Sequence, residues 1–240
     1  MKRFVLCFAA VFSMGLMVPT TGYADDADIK RLVESKTGGR VDAVTKTPYL
    51  GLYEVRMDGQ ILYTDEKVSY IFAGNIIETK TMQNITQERM RKLSTIKFSD
   101  LPLDQAVKIV RGSGKRVIAT FEDPNCGYCK RFAKDLQSLN DVTVYTFLYP
   151  ILSADSLEKS KAIWCSSDRA KSWNDMMVSG TSPKPASACE TPLEKNLALG
   201  ERLKVTGTPT IFLSNGERIP GAVPAAQLEK AISRVAGAAN

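Results

Sequence analysis

The sequence predicts an α+β chain of two folded units joined by a helical spacer. Three features point there. The first third combines one helical pattern with three strand-like pieces, and residues 84–110 read as largely polar and helical. From about residue 114 the order becomes strand, helix, strand, helical stretch, two strands and a closing helix.

Residues 1–24 are expected to lie outside the fold. Lys2 and Arg3 precede an apolar run from Phe4 to Val18, and Gly22 and Ala24 are small residues at −3 and −1 of a cleavage site after Ala24. That is the pattern of a secretory signal peptide. The run is short for a span, which needs roughly 20 apolar residues. Cleavage would remove Cys7 and lower the formal net charge from +6 to +4. The remaining positive charge is spread along the chain, so no nucleic-acid partner is inferred. About 216 residues would remain, enough for two domains.

Residues 25–82 form the first predicted domain. "DADIKRLVESKTG" is a helix stopped by Gly38 and Gly39. "YLGLYEVRM", "GQILYTD" and "VSYIFAGNIIET" read as strands, with Asp58-Gly59 as a two-residue hairpin turn between the first pair. A helix and three strands make a poor independent core. Pairing an edge strand with a second copy would complete it, so a homodimer through this domain is expected.

Residues 83–113 are assigned to a linker helix. Its apolar positions are Met90, Leu93 and Ile96, then Leu103, Val107 and Val110 beyond the break at Leu101-Pro102, with Gly112 and Gly114 closing it. Residues 114–240 form the second domain. "RVIATFED" is a strand, and "CGYCKRFAKDLQSL" is a helix with Phe132, Ala133, Leu136 and Leu139 at helical spacing. "VTVYTFLYP" is the next strand, 155–204 are mainly helical, and "TPTIFLSNG" and "RIPG" form a hairpin around Asn215-Gly216. "PAAQLEKAISRVAG" closes the chain as a helix. This is the element order of a thioredoxin-like domain with a helical insertion after its second strand.

Four cysteines survive cleavage: Cys126, Cys129, Cys165 and Cys189. An even number in an exported chain suits disulfide chemistry. A tetrahedral zinc site needs two close pairs or histidines. The chain has no histidine, and Cys165 and Cys189 form no close pair. Haem attachment requires a histidine where Lys130 stands. A structural bridge across two residues stabilises little. Redox chemistry remains, and no metal or cofactor is expected.

Pro124 and Asn125 lead into the helix and place Cys126 in its first turn, where free N–H groups and the helix dipole favour a thiolate. Cys126 is therefore the expected exposed nucleophile, and Cys129 the sheltered resolving thiol. Lys130 lies four positions after Cys126 on the same helical face. It either supports the thiolate or is simply solvated. Thr208-Pro209 opens an apolar strand; its proline allows a cis peptide, and the Thr208 backbone could pair with an extended client. Cys165 and Cys189, 24 positions apart, read as a structural disulfide contributing roughly 3–4 kcal/mol. Two buried free thiols are the alternative.

"CGYC", "KAIWC" (161–165), "PASAC" (185–189), "VTGTPT" (205–210) and "LSNG" (213–216) together resemble the bacterial periplasmic DsbC/DsbG disulfide-isomerase family along the mature chain. The resemblance implies a V-shaped homodimer with two thioredoxin-like domains facing a cleft. It implies nucleophile Cys126, resolving Cys129, a Cys165–Cys189 bridge and a cis Pro209 after Thr208. Gly127, Tyr128, Thr208 and Pro209 become the expected substrate-positioning residues. Implied partners are mis-oxidised or misfolded exported proteins and a membrane reductant of the DsbD type. Lys130 departs from the family histidine. The buried carboxylate of thioredoxins falls at Thr120 here, and Glu122 and Asp123 read as solvated strand-end carboxylates. The expected activity is disulfide isomerisation and reduction with chaperone-like client binding. The alternatives are a DsbG-type sulfenic acid reductase, a holdase without chemistry, and a DsbA-type oxidase.

Overall fold

The computed structural model describes residues 25–184 and 189–237; the expected signal peptide lies outside them. Two compact units divide the chain, one ending at Thr86 and the other starting at Gln87. Among the described residues, no helix is long and apolar enough to cross a membrane.

The first unit begins with α1 (Asp26–Thr37). Gly38 ends it in the left-handed region at φ 70°, its N–H donating to the Glu34 carbonyl, a geometry that glycine adopts without a Cβ penalty. Strands β1 (Val41–Lys46), β2 (Tyr53–Met57), β3 (Gln60–Thr64) and β4 (Ile71–Ala73) form an antiparallel sheet in that order. Asp58 and Gly59 take φ 52° and 75° in the turn between β2 and β3, as the hairpin signal requires. Ile29 and Val33 of α1 pack on Val41, Tyr53, Val55, Leu62 and Val68. A small ribbon of β5 (Ile77–Glu78) and β6 (Gln83–Asn84) follows. The sequence pattern did not signal β1. A register shift between Val41 and Ala43 breaks the alternation by which a half-buried strand is recognised.

The expected linker helix over 83–113 is corrected. Its helix, α2, covers only Ile85–Leu93. Short 3-10 turns at Phe98–Asp100 and Leu103–Gln105 follow, and Val107–Arg111 is strand β7. Val107 and Val110 have helical spacing, but Val107 is buried and Val110 exposed, the alternation of an edge strand. Apolar runs this short do not separate the two periods. Much of the segment also belongs to the second unit. The Ile96 N–H donates to the Gly216 carbonyl at 3.0 Å, and Arg91 pairs with Glu217 at 3.3 Å.

The second unit is a five-stranded sheet. Its remaining elements are β8 (Arg116–Glu122), α3 (Gly127–Asp135), β9 (Val142–Leu148), α4 (Ala154–Trp164), α5 (Arg169–Met177), α6 (Leu193–Arg202), β10 (Thr210–Leu213), β11 (Arg218–Pro220) and α7 (Ala225–Gly237). The strand order is β11-β10-β8-β9-β7, with only β8 and β9 parallel. Central β8 is covered on both faces, so it reads as an almost unbroken apolar run. Ile118 meets Phe132, Leu136, Leu228 and Ile232 on one face. Ala119 and Phe121 meet Phe147, Leu199 and Phe212 on the other. The Phe121 ring stacks on Phe147 at 4.9 Å and meets Tyr149 and Phe212 edge-on. Burying each such ring contributes about 2–3 kcal/mol.

Gly216 fixes how the 94–97 segment lies on the β10–β11 hairpin. It holds φ 85°, and a Cβ there would stand 1.7 Å from the Ile96 carbonyl oxygen. Gly216→Ala is therefore expected to cost about 2–4 kcal/mol. Urea unfolding followed by Trp164 and Trp173 fluorescence would measure the loss. An unchanged midpoint would mean that this close approach does not form.

Candidate active site

Strand β8 ends inside the domain, and a tight turn carries the chain into α3. Asp123 closes this turn. Its carbonyl accepts the Cys126 N–H at 3.0 Å, and its Oδ1 accepts the Asn125 N–H at 2.8 Å. Cys126 is thereby the N-cap of α3. Its sulfur accepts the Cys129 N–H at 3.2 Å, and its carbonyl accepts the Lys130 N–H at 3.0 Å. The sulfur thus stands where the unpaired N–H groups and the positive dipole end of the helix converge.

The Thr208-Pro209 peptide is cis. The Cys126 thiol donates to the Thr208 carbonyl at 3.3 Å. This loop is held from both sides. The Thr210 hydroxyl donates to the Gly207 carbonyl at 2.7 Å, and the Gly221 N–H donates to the Pro209 carbonyl at 2.8 Å. The expectation of an exposed Cys126 needs correction: it is 5% exposed, against 0% for Cys129. The sulfur lies in an apolar cluster and against the Thr208 carbonyl, contacts that no helical pattern encodes. Gly127 and Tyr128 beside it are open to solvent, Tyr128 at 65%, and the Arg131 guanidinium lies 5.8 Å from the Tyr128 ring centre.

Cys129 faces the interior, where burial pushes its thiol far up, and the negative charge of Glu122 pushes it further. Hydrogen bonding between the two cysteines adds to this, and the Asp123 backbone amide opposes it. Glu122 and Asp123 are not solvated. Their exposures are 1% and 0%, correcting the expectation from sequence. Burial pushes the Glu122 carboxyl up to about 7, offset in part by the Thr120 and Thr146 hydroxyls. Oε1 of Glu122 accepts the Thr120 hydroxyl at 2.7 Å, while Oε2 has no hydrogen-bond partner among the described residues.

The Asp123 carboxylate is fully engaged. Beyond Asn125, it accepts the Ile151 and Leu152 N–H groups on Oδ2 at 2.9 and 3.0 Å, and the Ser156 hydroxyl on Oδ1 at 2.7 Å. Sequence reasoning missed this clamp and its extension. The Asn125 side-chain amide donates to Asp155 at 2.8 Å, and its Oδ1 accepts from Lys159 at 2.8 Å. The only available signal was Ser153 ahead of the helical pattern. It caps α4, its hydroxyl accepting the Ser156 N–H.

Cys165 and Cys189 are joined as a disulfide with Cα atoms 5.8 Å apart. Cys165 ends α4 and packs against the apolar cluster that holds Cys126, Cys129, Trp164, Trp173 and Met176. The structure thus brings Cys126, Cys129 and Thr208 together, with the bridge in the insertion behind them. Among the described residues, no group of three or more His, Cys, Asp or Glu side chains could hold a metal ion.

Comparisons with known proteins place the chain in a family. Residues 20–87 match the family described as "Disulfide bond isomerase protein N-terminal domain", and residues 103–236 match "Thioredoxin-like domain". A protein of Bordetella parapertussis named probable thiol:disulfide interchange protein DsbC is 51% identical over 85% of this chain and 72% of its own length. The thiol:disulfide interchange protein DsbC of Escherichia coli K12 is 29% identical over 90% of this chain and 91% of its own length. The crystal structure of a disulfide interchange protein from Neisseria gonorrhoeae is 42% identical. It superimposes with a TM-score of 0.54, covering 56% of this chain and 97% of the other. With a thioredoxin-like domain bearing a CxxC pair, the matching N-terminal domain and this degree of identity, the chain belongs to the DsbC family of thiol:disulfide interchange proteins.

Proposed function

We propose that this chain is an exported, periplasmic disulfide isomerase and reductase that acts through Cys126. The observation that carries the reading is the Cys126 sulfur at the head of α3, bonded to the Cys129 N–H and the Thr208 carbonyl. Negative charge is favoured at the first contact, and the second marks where an extended client strand would lie. The Cys126 thiolate attacks one sulfur of a non-native client disulfide. A Cys126–client bond forms, and the other client sulfur leaves as thiolate. That thiolate, or another in the client, then attacks a client sulfur or the mixed bond, and Cys126 is released with the client rearranged. When rearrangement stalls, Cys129 attacks Cys126, the client leaves reduced, and the CxxC pair is oxidised. An external dithiol, supplied by a membrane reductant of the DsbD type, restores it.

Tyr128, exposed between the cysteines, and the Thr208-Pro209 loop position the client. The first unit serves as the dimerisation domain. Its edge strand β4 exposes Ile71 and Phe72, the latter by 51%. An open apolar edge is a ready site for pairing, and a second copy meeting it through the same strand forms an isologous contact. Paired units would hold misfolded exported clients between two catalytic domains. Residues 1–24 would direct export. A sulfenic acid reductase of the DsbG type and a holdase without chemistry are the competing readings.

Reactivation of scrambled, multi-disulfide ribonuclease tests the chemistry. Cys126→Ala is expected to abolish reactivation, and Cys129→Ala to accumulate the mixed disulfide. Full activity in Cys126→Ala would replace the enzyme reading with the holdase. Sedimentation tests the assembly. The wild-type chain is expected to run as a dimer and Phe72→Lys to shift it to monomer. A dimer unaffected by Phe72→Lys would rule out pairing through β4.

A further inference from the structure

We propose that Ile151 and Leu152, in the loop after β9, form an apolar platform beside Cys126 that selects clients by the side chains flanking their cysteines. The proposal deepens the exchange chemistry argued above and rests on it. Among the described residues, the second unit exposes four large apolar side chains: Val110, Tyr128, Ile151 and Leu152. A single exposed apolar side chain is common on a protein surface and calls for no explanation. Val110, on the edge strand β7, is such a case. The other three stand on the two segments that meet at the Cys126 turn.

Hydrogen bonds place the pair. The Asp123 carbonyl accepts the Cys126 N–H at 3.0 Å, and Oδ2 of the same residue accepts the Ile151 and Leu152 N–H groups at 2.9 and 3.0 Å. The Asn125 side-chain amide donates to the Ser153 hydroxyl at 3.2 Å. The residue before the nucleophile thus touches the residue after Leu152. The loop is also fixed. The Ile151 N–H bonds the Tyr149 carbonyl at 3.0 Å as well, and Ser153 caps α4. Two consecutive amides point inward at one carboxylate, while the Ile151 and Leu152 residues stay 41% and 55% exposed. These backbone bonds keep the loop from turning the two side chains under. Apolar surface presented this way needs little further ordering when a chain settles on it.

The occupant follows from the depth of the sulfur. Cys126 is 5% exposed, so a client disulfide reaches it only if the chain on either side of that disulfide comes down onto the surrounding surface. The Thr208 carbonyl, 3.3 Å from the sulfur, offers that chain a backbone partner, which does not read side chains. Ile151 and Leu152 offer aliphatic surface, which favours an apolar side chain over a polar one. The charges that α4 brings to Asn125 are Asp155 and Lys159. They are paired with each other at 2.6 Å and add no net charge beside the loop. The client that fits is therefore an extended segment with aliphatic or aromatic residues next to its cysteine. Such residues are buried once a chain has folded, so the platform favours disulfides in chains that have not.

The test is an acid-quench, single-turnover measurement of the reduced full-length protein with oxidised glutathione and two symmetrical peptide disulfides. The peptides differ only in the residues flanking cysteine, leucine in one and serine in the other. Wild type is expected to react with the leucine peptide about five-fold faster than with the serine peptide. In the double variant Ile151→Ser/Leu152→Ser that ratio is expected to fall to about one, with the glutathione rate changed less than about two-fold. Leu152→Met is expected to keep the wild-type ratio. Equal wild-type rates with the two peptides would overturn the proposal without any variant, which covers a double variant that fails to fold. A wild-type ratio kept in the folded double variant would overturn it alone. Loss of the dimer in that same variant would then assign the pair to a contact between copies. No reaction with any of the three disulfides would overturn the exchange chemistry beneath the proposal and the proposal with it.

Discussion

The Asp123 carboxylate holds the catalytic end of the second unit together. Its two oxygens accept from the turn into α3, from two consecutive amides after β9, and from the first turn of α4. Hydrogen bonds to a charged acceptor contribute roughly 1.5–3 kcal/mol each, and leaving their donors unpaired in the interior costs a similar amount. The turn that presents Cys126 is thus tied to the loop after β9 and to the insertion by one side chain. With Asp123 saturated, the neighbouring Glu122 carboxylate keeps one oxygen, Oε2, without a hydrogen-bond partner among the described residues.

Much of this was legible in the sequence. The CGYC segment, its place at the head of a helix, the Asp58-Gly59 and Asn215-Gly216 turns and the strand order around them all rest on local chemistry: special backbone angles, capping and short-range periodicity. The parts that were not legible rest on distant contacts. A bulge hid β1. β7 looked helical because two valines three apart fit either period until β9 is known to pair with one edge. Glu122 and Asp123 seemed solvated because nothing in "RVIATFED" shows that the strand ends under the loop at 149–152. Cys126 is low in exposure among distant side chains and is bonded to Thr208, 82 positions later.

The two cysteines occupy different electrostatic surroundings although they sit one helical turn apart. One caps the helix and accepts an amide N–H. The other lies in an apolar cluster beside a carboxylate, with both effects opposing its ionisation. In the exchange proposed above, this asymmetry would separate attack from resolution.

The insertion between β9 and β10 has a consequence for comparing relatives. Trp164, Trp173, Met176 and Met177 belong to the same cluster as both active-site sulfurs, and the Cys165–Cys189 bridge fastens that layer from outside. The dielectric surroundings of the dithiol are therefore set in part by side chains some 35 to 50 positions downstream. Two homologues with identical CGYC motifs need not share a reduction potential. Divergence in this layer is a route by which oxidising strength could drift while the motif stays constant.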